Sequence, residues 1–454
     1  MMRIGCKRFG MAGSGRAVVL ASLFVASSLC WGAPGRDPVF TGRWNIVVEH
    51  GAESVAMELE LTRNGEKYTG ISKSLDVGMG LSYEGSVQGR QLHLISSAVR
   101  YAKVVAAPKS VGTVDVKLVD GRLVGKGTLY GTAVTWKGER PDEKSHASRT
   151  YDYVPDRYIT TLSGRNEPVL HIQPGDSVRT TTVDANGLDH DRQWRSIPGN
   201  PHTGPFYIEG AMPGDTLVVH LTRVRINQAQ AEMFCGGLSS NALPSGGGLT
   251  QSDAECDWIW ALDAGGNIAR PRTPSSRLKN LRVPMRPMVG SIGVAPGSNE
   301  AFSAADLRMH GGNLDYNRIV EGVTLYFPVF RVGALFSLGD GHAAQGDGEI
   351  TGQGLETSLS VEFKVDLIKG KAPRFPWAED GEYVMFSGIG NSMNEALQAS
   401  TAGLVEWLKD RYQLGTGDLA MILGTSIQYD VAEIVDPRPH VVAKLRKDLL
   451  AQIQ

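Results

Sequence analysis

The chain contains few cysteines, with four in 454 residues. We predict that two of them, Cys6 and Cys30, are removed with an N-terminal leader, which excludes a disulfide-rich framework. The remaining pair, Cys235 and Cys256, flanks a Gly/Ser-rich loop. In an oxidising compartment we predict that this pair forms one disulfide that closes the loop. The alternative is that both cysteines remain reduced thiols.

The chain also lacks an excess of charge of either sign, because 46 Lys and Arg residues nearly balance 48 Asp and Glu residues. The net charge of −2 gives no argument for nucleic acid or an anionic membrane surface as a partner. The apolar run from Ala17 to Leu29 is too short to be a permanent membrane anchor. It follows four basic residues and precedes small ones, which is typical of a secretory signal. We therefore predict a signal peptide over residues 1–33 and a periplasmic or secreted protein with no stable membrane span. An uncleaved anchor is the alternative.

Glycine, by contrast, is abundant, with 55 residues, which indicates many tight turns. Residues 38–140 show the alternation of half-buried strands, as from Val55 to Leu61, and hairpin turns at Asn64-Gly65 and Asp120-Gly121. We predict a small antiparallel β barrel or sandwich there. A polar linker follows at 141–157, and a second domain covers 158–454.

The second domain is predicted to be β-rich up to about residue 370 and to end in an α/β layer. Ser392 and Glu395 form the spacing of a capping box, which marks the start of a helix. Its apolar face is predicted to contain Met393, Leu397, Leu404 and Leu408. A second helix is expected over 416–427. The fold class is therefore β-rich α+β.

The densest functional signal is the segment 339–349, which follows an apolar strand and contains four glycines. It carries Asp340, His342, Gln345, Asp347 and Glu349. Holding three carboxylates so close together is unfavourable, and a bound cation would relieve the repulsion. The alternative is a solvated acidic turn.

Two further polar segments, 184–191 and 310–315, contain acids, amides and a histidine between strand-like stretches. Each taken alone is more often a turn, but three of them in one β-rich domain predict a convergent polar pocket. The sequence gives no support for a serine hydrolase with a G-x-S-x-G elbow or a metalloprotease with an H-E-x-x-H helix, because it has neither motif.

The chain from about Tyr158 to its C-terminus resembles the acetamidase/formamidase family. The resemblance rests on four stretches, at 200–215, 290–296, 310–315 and 325–349. It implies a β-rich fold with an α/β portion, hydrolysis of short amides such as formamide and acetamide, and a metal at the acidic segment. The leader, the N-terminal β-domain and the loop between Cys235 and Cys256 are additions to the family pattern.

Combining the acidic segment with the resemblance predicts a metal-assisted amidase. Asp184, Asp340 and His342 are the candidate ligands of a divalent cation, zinc first and calcium as the alternative, that activates water. Glu349 or Asp347 is the candidate general base.

The remaining polar side chains are assigned to the substrate. Asn313 and Gln345 are candidates for hydrogen bonds to the oxyanion or the amide NH2 group, and His310 and Asp315 for substrate binding. The expected partner is a small amide, and homo-oligomerisation is left open. The competing hypothesis is a non-catalytic exported binding or scaffold protein with a structural cation site.

Overall fold

The computed structural model describes residues 40–51, 53–73, 80–99, 110–140, 147–233, 238–239, 241–243, 259–298 and 300–453. The predicted signal peptide and the predicted disulfide lie outside the described residues. The proposed domain boundaries stay predictions. In the part of the chain that is described, no helix combines the length and the apolar character needed to cross a membrane.

Residues 42–139 form a closed antiparallel barrel in which each strand pairs with its neighbours in sequence. The predicted turn at Asp120-Gly121 is confirmed, with φ of 51° and 81° at its two residues, as a tight hairpin of this type requires. The strands are β1 (Gly42–His50), β2 (Glu53–Asn64), β3 (Lys67–Lys73), β4 (Gly80–Gln88), β5 (Gln91–Val99), β6 (Ser110–Val119), β7 (Arg122–Leu129) and β8 (Thr132–Glu139).

The interior of this barrel is a packed core. Five aromatic side chains at most 1% exposed fill it: Phe40, Trp44, Tyr68, Tyr83 and Trp136. The rings of Tyr83 and Trp136 meet edge to face with centroids 5.5 Å apart. Side chains therefore occupy the space in which larger barrels hold a ligand.

The described residues of the second part of the chain form two large sheets and one small strand pair. In spatial order, the first sheet contains β18 (Val283–Pro284), β17 (Ile268–Pro271), β16 (Ile259–Asp263), β15 (Gln230–Glu232), β25 (Glu356–Thr357), β24 (Phe336–His342), β19 (Met288–Gly293), β22 (Gly311–Asn313) and β21 (Leu307–Arg308). In addition, β13 (His202–Ile208) pairs with β24, and β11 (Leu170–Ile172) pairs with β13. The second contains β29 (Gln428–Glu433), β30 (His440–Arg446), β28 (Tyr383–Ile389), β27 (Trp377–Glu379), β23 (Thr324–Pro328), β14 (Thr216–Ile226), β26 (Leu359–Ile368), β12 (Ser177–Thr181) and β9 (Thr150–Asp152). The pair is β10 (Thr161–Ser163) with β20 (Ala301–Ser303).

The two sheets share one hydrophobic core, in which aromatic rings of both interlock. Phe206 and Phe336 of the first sheet lie 5.2 Å and 5.1 Å, centroid to centroid, from Phe363 of the second. All three rings are fully buried, and each such burial stabilises the fold by roughly 1.5–3 kcal/mol. This shared core gives the strands that carry polar side chains a rigid support.

Three helices complete the described chain, α1 (Met393–Tyr412), α2 (Thr416–Ser426) and α3 (Lys447–Leu450). The predicted cap is confirmed, because Ser392 Oγ accepts a hydrogen bond from the Glu395 N–H at 3.2 Å. The predicted apolar face was wrong in its first turns, since Met393 and Leu397 are 41% and 40% exposed. The buried series is instead Ala396, Ser400, Leu404 and Leu408.

Small residues explain that difference. A Cβ at Gly388 of β28 would lie 2.0 Å from the Ala396 carbonyl oxygen, so helix and strand touch through their backbones. Leucine at this contact would not fit, which turns Leu397 outwards. With sheets, barrel and packed helices, the β-rich α+β class predicted for this chain is confirmed.

A buried histidine in this core makes the fold sensitive to acid. His202 Nε2 donates to Ser291 Oγ at 2.6 Å, because that hydroxyl already donates to the Ala304 carbonyl, and Ser337 Oγ lies 2.9 Å from Nδ1. Burial lowers the pKa of His202 to about 4. Between that value and its ordinary pKa of about 6.5, the unfolded chain binds a proton that the folded chain does not. Acid therefore favours unfolding. The contribution of neutral His202 to the free energy of unfolding is complete only above pH 6.5 and is lost as the pH falls towards 4.

We expect the His202→Gln variant to lose less stability on acidification than the unchanged protein. Between pH 7 and pH 5 the difference should be about 2 kcal/mol, measured as the free energy of unfolding in urea. The exposed His171 provides the matched control, and His171→Gln should retain the full acid sensitivity. Equal acid sensitivity in His202→Gln would show that this imidazole is not the group responsible.

Candidate active site

The candidate site is built around the end of strand β24. Asp340 and His342 lie two residues apart on this strand and therefore face the same side of the sheet. Glu356, on the short strand β25, is the pairing partner of His342 in the register of the sheet. Residues directly opposite in a sheet project to one face, so strand pairing brings the Glu356 carboxylate to the imidazole.

Two loops complete what we call the acid cluster: Asp315, Asp340, His342, Glu349 and Glu356. Asp315 follows β22, and Glu349 lies in the turn after β24. All five side chains are at most 6% exposed. The cluster contains two overlapping triads, Asp315–His342–Glu349 and Asp340–His342–Glu356, whose candidate ligand atoms lie within 4.8 Å of one another. Four carboxylates buried around one imidazole require compensating protons or a cation.

Three carboxylate oxygens converge on one nitrogen of the imidazole. His342 Nε2 lies 3.2 Å from Glu356 Oε2, 3.4 Å from Asp340 Oδ1 and 3.9 Å from Asp315 Oδ1. None of these three oxygens has a hydrogen-bond partner among the residues that the structure describes, although all are buried. Unsatisfied buried acceptors are unfavourable, so their convergence points to a positively charged ligand.

The second oxygen of each of these carboxylates is held by an N–H donor. Asn200 Nδ2 donates to Asp340 Oδ2 at 2.8 Å, and Asn313 Nδ2 donates to Asp315 Oδ2. The backbone N–H of Gly354 donates to Glu356 Oε1 at 3.0 Å. Each carboxylate is thus fixed through one oxygen and presents the other towards His342.

The imidazole is oriented in the same way. His342 Nδ1 donates to Gln345 Oε1 at 2.8 Å, and Gln345 Nε2 donates to the Asp315 carbonyl at 2.6 Å. In its neutral form His342 therefore directs the Nε2 lone pair at the free carboxylate oxygens. A histidine held through its other nitrogen is typical of metal ligands. The donor set, three carboxylates and one imidazole, fits a divalent cation.

The electrostatics of the cluster agree with this geometry. Burial raises the pKa of Glu356 to about 7, and burial together with the Glu349 and Asp340 charges raises that of Asp315. Burial alone would lower the pKa of His342. The nearby carboxylates of Glu356 and Asp340 have the larger combined effect, so the pKa of His342 is raised. The cluster without a cation thus retains protons, and a divalent cation would replace them.

A glycine provides the room that the cluster needs. Gly290 on β19 faces the carboxylates, and a Cβ there would lie 2.6 Å from Asp315 Oδ1 and 2.8 Å from Asp340 Oδ2. Any larger residue would push the two acids apart. The close packing of Asp315 and Asp340 therefore depends on glycine, which has no side chain, at position 290.

Several predicted site residues lie elsewhere or make other contacts. Asp347 is exposed, and its Oδ1 accepts from Asn317 Nδ2 at 2.7 Å. Asp184 belongs to neither triad. Its Oδ1 accepts from the backbone N–H groups of Asn186 and Leu188, at 3.0 Å and 2.9 Å. This is the turn-forming behaviour of an aspartate, so we leave Asp184 out of the ligand set proposed below.

The structure places the two residues predicted to bind substrate, His310 and Asp315, at different sites. Asp315 joins the acid cluster, whereas His310 lines a separate cleft. The side-chain amide of Asn313 accepts from Asn200 Nδ2 and donates to Asp315 Oδ2. That of Gln345 accepts from His342 Nδ1 and donates to the Asp315 carbonyl. Their role towards a substrate therefore stays a prediction.

Comparison with known proteins places the whole acid cluster inside a family match. The model of the acetamidase/formamidase family matches residues 166–306 and 298–446, more than half of the chain. The chain belongs to the acetamidase/formamidase family. A formamidase of Methylophilus methylotrophus is 26% identical, in a match that covers 59% of this chain and 83% of the relative.

Solved structures of the acetamidase/formamidase family extend the likeness to the fold. A predicted acetamidase/formamidase of Thermoanaerobacter tengcongensis has a TM-score of 0.57 at 27% identity, covering 68% of this chain and 99% of the relative. An acetamidase of Bacillus halodurans has the same TM-score at 28% identity, covering 66% and 99%.

Sequence reasoning missed two residues of the site. Glu356 stands outside the three polar segments, and only its pairing with His342 reveals it. Asn200 opens one of the stretches on which the family resemblance rests, yet its contact with Asp340 joins residues 140 positions apart. Asp436, whose Oδ2 accepts from Asn313 Nδ2 at 2.9 Å, is a further example of a long-range contact without a local signal.

Proposed function

We propose that this protein hydrolyses the C–N bond of small linear carboxamides, of the formamide and acetamide type, to a carboxylate and ammonia. Membership of the acetamidase/formamidase family supports amide hydrolysis. The observation that carries the metal assignment is the convergence of three unpartnered carboxylate oxygens on His342 Nε2.

We assign the cation to Asp315, Asp340, His342 and Glu356, with zinc as the first candidate and calcium as the alternative. A divalent cation at such a site would polarise a carbonyl group and lower the pKa of bound water to about 7. The imidazole favours zinc and the three carboxylates favour harder ions, so metal analysis has to decide. Gln345 acts as a positioning residue that keeps Nε2 of His342 available.

Glu349 is the proposed general base. Its carboxylate is buried beside Asp315 and His342, and burial raises its pKa, which suits a group that takes up and returns a proton. It accepts a proton from the attacking water as the water oxygen bonds to the amide carbon. It then returns this proton to the nitrogen as the C–N bond breaks, so that ammonia leaves and the acid remains.

We expect the purified protein to release ammonia from formamide and acetamide and to contain about one divalent cation per chain. Dialysis against a chelator should remove the activity, and adding back zinc should restore it. The measurements are ammonia release and elemental analysis on the same samples. Full activity in metal-free protein would overturn the metal assignment alone. A calcium-containing protein without turnover of any small amide would overturn amide hydrolysis and favour a scaffold.

A further inference from the structure

A cleft separate from the acid cluster lies between α1 and the loops that flank β20 to β22. Its volume is about 740 Å³, within the range of small-molecule sites. No described residue that lines it belongs to the acid cluster. We call it the arginine cleft, because Arg308, Arg374 and Arg438 line it.

The arginine cleft has an uncompensated positive charge. Asp306 accepts from both Arg308 Nε, at 2.8 Å, and Arg438 Nη1, at 2.5 Å, so one carboxylate serves two guanidinium groups. Arg374 forms no ion pair with a described residue and stacks on Phe375, 5.6 Å from the ring centroid. Among the described residues of the lining, Glu395 is the one carboxylate. Three positive charges against Asp306 and Glu395 leave room for one negative charge.

A buried polar atom supports the same conclusion. His310 lines the cleft with a side chain 4% exposed, and its Nε2 has no hydrogen-bond partner in the described part of the chain. Its ring stacks on Phe302, 5.4 Å centroid to centroid, and the guanidinium of Arg308 lies 4.1 Å from the centroid of Phe302. Phe330 and Phe375 add further apolar surface. The cleft thus combines oxyanion-binding donors with space for an apolar group.

We propose that the arginine cleft binds a small organic oxyanion, whose carboxylate or phosphate group contacts Arg374, Arg438 and His310. The apolar part of the ligand packs against Phe302, Phe330 and Phe375. This site goes beyond the proposed amide hydrolysis and uses none of its residues.

Isothermal titration with four ligands of similar size tests the charge preference. Phenylacetate and phenyl phosphate are the anionic probes, benzyl alcohol is the neutral probe and benzylamine the cationic one. At least one anionic probe should bind about tenfold or more tightly than the neutral and cationic probes. The tighter of the two identifies the carboxylate or the phosphate as the preferred group. Equal binding of benzyl alcohol, or no binding of either anion, would overturn the proposal.

Substitutions then locate the binding. Arg374→Gln and Arg438→Gln should each weaken binding of the preferred anion by about tenfold, the value of a charge-assisted hydrogen bond. Arg223→Gln, at an exposed arginine of β14, is the matched control and should have no effect. The His342→Ala variant should bind the anion as before, because its change lies in the acid cluster. Loss of binding in His342→Ala, with unchanged binding in both cleft variants, would assign the anion to the acid cluster instead.

Discussion

Replacing His342 with alanine should remove both the bound cation and the release of ammonia from formamide and acetamide. The change deletes the one nitrogen donor among three buried carboxylates, and the remaining acids would be expected to take up protons. A catalytic cation contributes several kcal/mol to transition-state stabilisation, so kcat should fall by about 100- to 1,000-fold or more. Elemental analysis and an ammonia assay on the same preparation provide the measurement.

Two further variants sharpen this experiment. His171→Ala changes an exposed histidine that contacts Glu209, and it should keep both metal and activity. Gln345→Leu removes the acceptor for His342 Nδ1 and should weaken metal affinity by roughly 10- to 100-fold, whereas Gln345→Glu keeps an acceptor. If His342→Ala retained one metal per chain and its activity, the cation would have to be bound elsewhere.

Glu349→Gln should lower kcat by about 100- to 10,000-fold, the usual contribution of a general base. Glutamine keeps the shape of the buried side chain but cannot accept the proton of the attacking water. Asp347→Asn is the matched control two residues away, and it should change kcat by only a few-fold because Asp347 is exposed and hydrogen-bonded to Asn317. Steady-state kinetics with formamide separate kcat from KM for both variants.

The reverse order of effects would change the assignment of the base. A large loss in Asp347→Asn together with near-normal kcat in Glu349→Gln would transfer that role to Asp347. Both variants should bind metal, since neither residue belongs to the proposed ligand set. Retained metal in an inactive Glu349→Gln protein would therefore separate proton transfer from metal binding.

Local sequence signals predicted the elements of the fold with few errors. The turn at Asp120-Gly121 and the N-cap at Ser392 depend on neighbours within four residues, so they are visible in the sequence. The face of α1 was misjudged because burial there depends on contact with Gly388, a residue of another element. Periodicity detects a helix, but it does not identify the surface against which the helix packs.

The sequence by itself predicted the segment of the candidate site, because the glycine-rich stretch 339–349 brings Asp340, His342 and Glu349 within ten residues of one another. Only the tertiary structure decided which acids share a site. Strand register set Glu356 against His342, and amide donors distant in the chain oriented Asp315 and Asp340. The physical reason is range, since turns and caps arise from contacts within a few residues, whereas a buried group of like charges exists only where the shared core of two sheets holds it together.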